Sequence, residues 1–348
     1  MVHTDEYGAI AESLQVAYLT PETILTIGGA NGKKKHATLV CHIDSAPGTL
    51  HLHRGDVLHL TDGTATVASA ADDDSHELGR DIPCIACTQP QVIGQVKPGA
   101  AVWFDDGRIG GIVRQRFANY LAIEITHARD AGERLAGDKG INLPDSDLNL
   151  PALTPKDLSD LQAVAEDADM VGLSFVQRPS DIDQLRQWLV DHGRADMGLV
   201  LKIETLQGFE NLPELMLAAM AADSAGVMIA RGDLAVECGY ERLAEVQEEI
   251  LWCAEAAHMP VIWATQVLES LAKTGLPSRA EISDAGLGVR AECVMLNKGP
   301  YILQAIRTLD DILQRMSGHQ AKKRPLLRAL HAWDNSPGAA PTANVQTP

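Results

Sequence analysis

The sequence predicts an α/β protein with a β-rich N-terminal half and a C-terminal half of consecutive parallel strands covered by helices. Three observations carry this. Short apolar runs recur after Pro151: MVGLSFV (170–176), LVLKIE (199–204), GVMIARG (226–232), PVIWATQ (260–266) and CVMLNKG (293–299). Their starts lie 27 to 34 residues apart, the pitch of repeated βα units. Between them the texture is amphipathic and helical, whereas the residues before about 148 alternate β-formers with Gly, Asp and Pro punctuation.

Taken along the chain, the first half offers strand-like runs in TLHLHRGDVLHLTDG (49–63), VKPGAAVWFDDGRIGGIV (96–113) and YLAIEITHA (120–128). The first two resemble each other, each with a basic residue, a Gly, a strand and then Thr-Asp-Gly or Asp-Asp-Gly as a turn. They predict hairpins of a small barrel or sandwich. His51 and His53 share a strand face by period two, but without a third ligand the reading is a solvated face, not a metal pair. GGANGKKK (28–35) fails as a phosphate loop, because Ile27 stands where the first Gly is needed and Lys34 where the hydroxyl is needed. It reads as a Gly/Asn turn followed by a solvated basic run. Cys84 and Cys87 form one CxxC with no second pair, which fits structural thiols.

In the second half, ERLAEVQEEILWCAEAAH places Leu243, Val246, Ile250, Ala254 and Ala257 on one helical face. Ser278-Arg279-Ala280-Glu281 is a capping box that opens the next helix. Five parallel strands with covering helices make either an open sheet or part of a closed eight-stranded barrel, since a whole barrel takes about 250 residues. The expected organisation is a β-rich, lid-like domain over 1–148 with an irregular N-terminal segment, the βα domain over 149–330, and a disordered Pro/Ala/Asn/Thr-rich tail over 331–348.

Composition narrows the function classes. At 45% hydrophobic and 22% charged residues the chain is an ordinary globular protein, and no apolar run approaches the roughly 20 residues of a membrane span. The formal charge of −18 repels phosphate backbones, so no nucleic-acid partner is expected. The first residues carry no secretory signal, and six scattered cysteines fit a reducing cytoplasm.

Polar residues gather where α/β folds place active sites, at the C-terminal ends of the strands. Lys202 and Glu204 end LVLKIE, Arg231 and Asp233 follow VMIA, and Thr265 and Gln266 follow VIWA. Two residues apart, Lys202 and Glu204 point to the same face of their strand. Glu204 and Asp233 on adjacent strand ends can share a hard cation such as Mg²⁺, with substrate oxygens as further ligands. Lys202 is then a fixed positive charge for an anionic group, and the backbone amides of Gly232 and Asp233 can bind a carboxylate if they open a helix. A purely structural reading instead pairs Lys202 with Glu204 and Arg231 with Asp233.

KIETLQGFENLPELM, VMIARGDLAVE, IWATQVLESL and PSRAEISDA together resemble the pyruvate kinase family. WFDDGRIGG (103–111), KGINLPDSDLNLPALTPKD (139–157) and VGLSFVQRPSDI (171–182) extend the likeness, which covers about residues 100 to 315. The resemblance implies that the five strands are strands four to eight of a TIM barrel, and that residues up to about 148 hold much of a mobile lid inserted after the third strand. It implies phosphoryl transfer from phosphoenolpyruvate to ADP, giving pyruvate and ATP in glycolysis. Lys202 would stabilise the phosphoryl group in flight, Glu204 and Asp233 would hold Mg²⁺ or Mn²⁺, the Gly232 and Asp233 amides would hold the substrate carboxylate, and Thr265 would lie near the enol carbon. Arg231 looks like a structural ion-pair member.

Three departures set this sequence apart from the family pattern. The opening barrel strands, with an Arg-x-Asn-x-Ser-His-type motif and a Lys-Gly-Pro-Glu-type strand, are not found in residues 1–48. K⁺ is therefore left without its usual ligands. The Ser-Gly-Glu-Thr usual after strand eight reads Asn297-Lys298-Gly299-Pro300. Ala235 replaces the Gly after ARGDL, and no regulatory domain follows residue 320. The chain thus reads as a shortened, divergent member, impaired or completed by a homo-oligomer or partner chain. Two other readings stay open: a Mg²⁺-dependent aldolase or lyase working through a pyruvate enolate, and a non-catalytic remnant or regulatory subunit.

Overall fold

The computed structural model describes residues 3–4, 9–10, 24–27, 36–39, 49–63 and 82–317. The chain divides into two compact units, residues 1–50 with 136–138, and residues 51–135 with 139–348. In the smaller unit, β1 (His3–Thr4) pairs antiparallel with β2 (Ala9–Ile10), and β3 (Ile24–Ile27) with β4 (His36–Leu39). The basic run at 28–35 and the tail at 331–348 lie outside the described residues.

The β-rich part of the larger unit centres on a six-stranded sheet. Its members are β6 (Val57–Thr61), β7 (Cys84–Ala86), β8 (Ala101–Phe104), β9 (Ile109–Arg116), β10 (Tyr120–His127) and β12 (Ile141–Asn142), in the order β12-β8-β9-β10-β6-β7. Period two decides which side chains enter its core: Leu121, Ile123 and Ile125 of β10 are buried, as are Val102 and Phe104 of β8. The β8–β9 hairpin is the one the sequence predicts. Its turn places Asp105, Asp106 and Gly107 in the left-handed region (φ 51°, 55° and 79°), conformations that Asp tolerates and Gly adopts freely.

The matching turn of the first run, Thr61-Asp62-Gly63, leads into residues 64–81, which lie outside the described residues, and the next described strand, β7, pairs parallel with β6 and not as the second arm of a hairpin. β5 (Leu50–Leu52) pairs with β11 (Glu133–Leu135), while β6 lies between β10 and β7. Ahead of β6, the Arg54-Gly55-Asp56 corner is tied to the strand β10. Gly55 N–H donates to Ile125 O (2.8 Å), Ile125 N–H donates to Asp56 O (2.8 Å), and the Asp56 carboxylate accepts from His53 N–H (2.7 Å). With its backbone spent on β10, the corner sends β6 into another sheet rather than folding it back on β5. His51 and His53 are exposed, and among the described residues no group of three or more His, Cys, Asp or Glu is placed to hold a metal. Cys84 and Cys87 are free thiols.

The second half is the predicted α/β sheet, half of a barrel. β13 (Met170–Leu173), β14 (Gly198–Ile203), β15 (Ala225–Ala230), β16 (Val261–Ala264) and β17 (Cys293–Val294) run parallel and in sequence order. Between them come α2 (Pro179–Asp191), α4 (Leu212–Ala219), α6 (Leu243–Ala256) and α8 (Arg279–Leu287), after a leading α1 (Pro155–Asp167) and before a closing α9 (Ile302–Ser317). Leu201, Ile203, Val227, Ile229 and Val261 share one core with the apolar stripe of α6, in which Val246, Ile250 and Ala254 are fully buried and Leu243 partly so, as is Ala257 just after the helix. No helix among the described residues is long and apolar enough to cross a membrane.

Local chemistry fixes the helix starts. Ser278 Oγ accepts from Glu281 N–H (3.2 Å) and the Glu281 carboxylate accepts from Ser278 N–H (2.8 Å), the reciprocal cap the sequence predicts for α8. Thr154 and Asp157 build the same device on α1. Removing the α8 cap with Ser278→Ala is expected to cost about 1 kcal/mol, read as a lower urea midpoint at unchanged m-value. The divergent Asn297-Lys298-Gly299-Pro300 segment has its own constraint. A Cβ on Gly299 would overlap the carbonyl of Ala272 in α7 (Glu269–Thr274). Because the obstacle is backbone, Gly299→Ala is expected to destabilise by about 1–3 kcal/mol or more.

Candidate active site

Lys202 and Glu204 leave the C-terminal end of β14 on one face, as period two requires. Lys202 Nζ lies 2.8 Å from Glu204 Oε1 and donates to Ser174 Oγ at 2.7 Å. The other Glu204 oxygen accepts from Phe175 N–H at 2.6 Å. That amide is aimed inward by a left-handed Phe175 (φ 51°), just past the end of β13. Glu204 is only 4% exposed. Burial pushes its carboxyl above the usual range, Lys202 and the Phe175 amide pull it back, and Asp233 adds a further push upward.

Asp233 stands in the first turn of α5 (Arg231–Cys238), which starts directly at the end of β15. Burial is again the main influence and raises its carboxyl. Against it work an amide hydrogen bond from Asn142 and the Asp233 backbone N–H, while Asp106 of the β8–β9 turn adds repulsion. Asn142 Nδ2 donates to both Asp233 Oδ1 (3.4 Å) and Glu237 Oε1 (3.3 Å). The β8–β9 turn also rests on α5 and the residues after it. Tyr240 OH donates to Asp106 O (3.2 Å), and a Cβ on Gly107 would come within 2.7 Å of that hydroxyl.

Thr265 and Gln266 follow β16, both in the left-handed region (φ 63° and 56°). A β-branched residue rarely adopts this conformation, and it costs on the order of 1–3 kcal/mol where it is found. It turns the Thr265 hydroxyl onto Gly232 N–H at 2.8 Å. The Gly232 amide therefore already has an acceptor, and the Asp233 amide faces its own carboxylate. The helix-opening amides expected from the sequence are in place, each covered by a side chain of the site itself.

Of the two ion pairs of the purely structural reading, Lys202–Glu204 forms, but Arg231 pairs with Asp284 of α8 instead of Asp233. Asp233 keeps its negative charge free of a cationic neighbour on α5. Ser174, Phe175, Asn142, Glu237 and Asp284 belong to the cluster without having been singled out in the sequence. All five lie in runs that carry the family resemblance, which is the signal that points to them.

The donor set is two carboxylates, each raised chiefly by burial, with Asp233 adding repulsion at Glu204 and Asp106 adding it at Asp233, next to an ammonium and two helix-opening amides. Two carboxylate ligands, with the rest left to water and substrate oxygens, is the usual protein share for Mg²⁺. A divalent ion would offset the burial and the neighbouring negative charge that raise both groups, so the residues fit such an ion.

Parallel βα units with charged residues at the C-terminal strand ends define an enzyme-type (β/α) barrel site. The family model described as "Pyruvate kinase, barrel domain" matches residues 44–306. A pyruvate kinase of Bacillus licheniformis is 34% identical over 238 residues, 66% of this chain and 40% of that protein. One of Hypocrea jecorina is 34% identical over 264 residues (74% and 47%), and one of Methylorubrum extorquens 34% over 270 residues (75% and 52%). The chain belongs to the pyruvate kinase family, and its sheet is part of that barrel. It spans about half the length of the curated relatives it matches.

Proposed function

We propose that the protein carries out pyruvate kinase-type phosphoryl transfer from phosphoenolpyruvate to ADP. The observation that carries this reading is the convergence of Lys202, Glu204, Asp233 and Thr265 on the ends of three adjacent strands. In the reaction the phosphorus–enol oxygen bond breaks and a bond forms to a terminal ADP oxygen. The enolate left behind takes a proton at carbon to become pyruvate. Phosphoryl transfer asks the protein for position and charge, not for covalent help.

Lys202, anchored by Ser174 and Glu204, faces the phosphoryl oxygens and balances their charge. Glu204 and Asp233 hold Mg²⁺ or Mn²⁺, which supplies charge neutralisation and a template for substrate oxygens when bound. The Gly232 and Asp233 amides take the substrate carboxylate once their present partners give way, and Thr265 stands beside the enol carbon. The β-rich residues up to about 148 act as the lid and 149–330 as the barrel part. A closed eight-stranded barrel needs three more parallel strands beside β13 and β17, and a homo-oligomer or partner chain is their proposed source. The setting is cytoplasmic glycolysis.

The test is pyruvate and ATP formation from phosphoenolpyruvate and ADP with Mg²⁺ and K⁺. Product formation that needs both substrates and the metal is expected. Folded protein that binds the metal yet makes no pyruvate would overturn the reading.

A further inference from the structure

Arg231 is 7% exposed, and a guanidinium keeps its charge at any ordinary pH, so its burial needs a reason. Its partners supply one. Nε donates to Ala264 O at 2.9 Å, one terminal nitrogen donates to Thr265 O at 2.6 Å, and the other pairs with Asp284 of α8. The guanidinium carbon sits 4.7 Å from the centre of the Trp263 ring, a cation–π contact. Three of these four partners are consecutive residues, 263 to 265, at the end of β16. The fourth fixes the other side of the fork.

This is the stretch where the backbone is strained. Thr265 and Gln266 are held left-handed, and two of the carbonyls immediately involved, those of Ala264 and Thr265, are the ones that Arg231 grips. The next residue in the chain after Arg231 is Gly232, whose N–H meets the Thr265 hydroxyl at 2.8 Å. One side chain and its neighbour's amide thus tie the start of α5 to the end of β16 at three points.

Resting on the function proposed above, we infer that Arg231 is a positioning residue for the substrate carboxylate. By holding Thr265 in its left-handed conformation it sets the corner formed by the Thr265 hydroxyl and the Gly232 amide. It touches no reacting atom. A lysine keeps the charge but is a point donor on a flexible stem, and it cannot serve two carbonyls and a carboxylate in fixed directions while stacking on an indole.

The test uses the full chain and two probes read separately. Mn²⁺ binding is followed by electron paramagnetic resonance, and oxalate, a planar dianion with the oxygen arrangement of an enolate carboxylate, by calorimetry with Mn²⁺ present. Arg231→Lys is expected to weaken oxalate at least 10-fold while Mn²⁺ affinity stays within 2-fold of wild type. Asp284→Asn, which frees one arm of the fork, is expected to show the same split at smaller amplitude, and it carries the test if Arg231→Lys does not fold. Oxalate binding unchanged in both variants overturns this inference alone, as does an equal loss of Mn²⁺ and oxalate, which would mark a general structural role. A folded wild-type protein that binds neither probe fails the parent reading, and this one with it.

Discussion

In the proposed reaction, Lys202→Met is expected to lower phosphoryl transfer by about three orders of magnitude, because it removes the ammonium assigned to the transferring group in a half-buried site. The loss falls on turnover, since Met fills much of the same volume and the β14 strand is unaffected. A second signature separates this from damage to the fold. Lys202 is the largest influence holding the Glu204 carboxyl down against burial. Without it that carboxyl rises further, so the group protonates at a higher pH. Metal binding needs the carboxylate, and affinity falls as pH drops through the raised value. In the variant this acid-side fall in Mn²⁺ affinity should therefore begin at a higher pH than in wild type. Full activity in Lys202→Met would remove Lys202 from the chemistry. An unshifted pH profile would show that the Lys202–Glu204 contact does not tune the site.

Trp263→Ala is expected to cost about 3–5 kcal/mol, the range for deleting a large buried aromatic side chain. Trp263 is 2% exposed, lies on β16 between β15 and β17 and carries Arg231 on its face. The substitution opens a cavity between β16 and the segment after α8, where a Cβ on Gly288 would already touch the indole at 3.5 Å. It also strips one wall from a buried charge, which adds to the cost. Urea unfolding should show a large fall in midpoint at unchanged slope, and a cost under about 1 kcal/mol would mean that the site end of β16 is not held by packing.

The parallel half was legible because buried strands in a parallel sheet read as short, nearly continuous apolar runs, as GLVLKI, AGVMIA and VIWA do, and the edge strand MVGL keeps the same run and βα spacing although only Leu173 is buried. Lys202 and Glu204 were legible for the same reason, since period two alone aligns them. The partners that complete the site were not. Asp284 lies 53 residues from Arg231 and Asn142 lies 91 from Asp233, distances across which no local periodicity speaks. The left-handed Thr265 and Gln266 carry no Gly or Asn to announce them, and the side chain that grips Thr265, Arg231, comes from another strand end. At 49–63 the strand was legible but its partners were not, because β6 pairs with β10, far along the chain, and in parallel with β7.

Joint binding of a divalent ion by Glu204 and Asp233 beside Lys202 can be measured by titrating Mn²⁺ into wild type, Glu204→Gln and Asp233→Asn and reading bound ion by electron paramagnetic resonance. One Mn²⁺ per folded wild-type chain is expected, with affinity at least 10-fold weaker in each variant. Binding of equal strength in all three proteins would place the metal elsewhere and rule out this pair as its ligands.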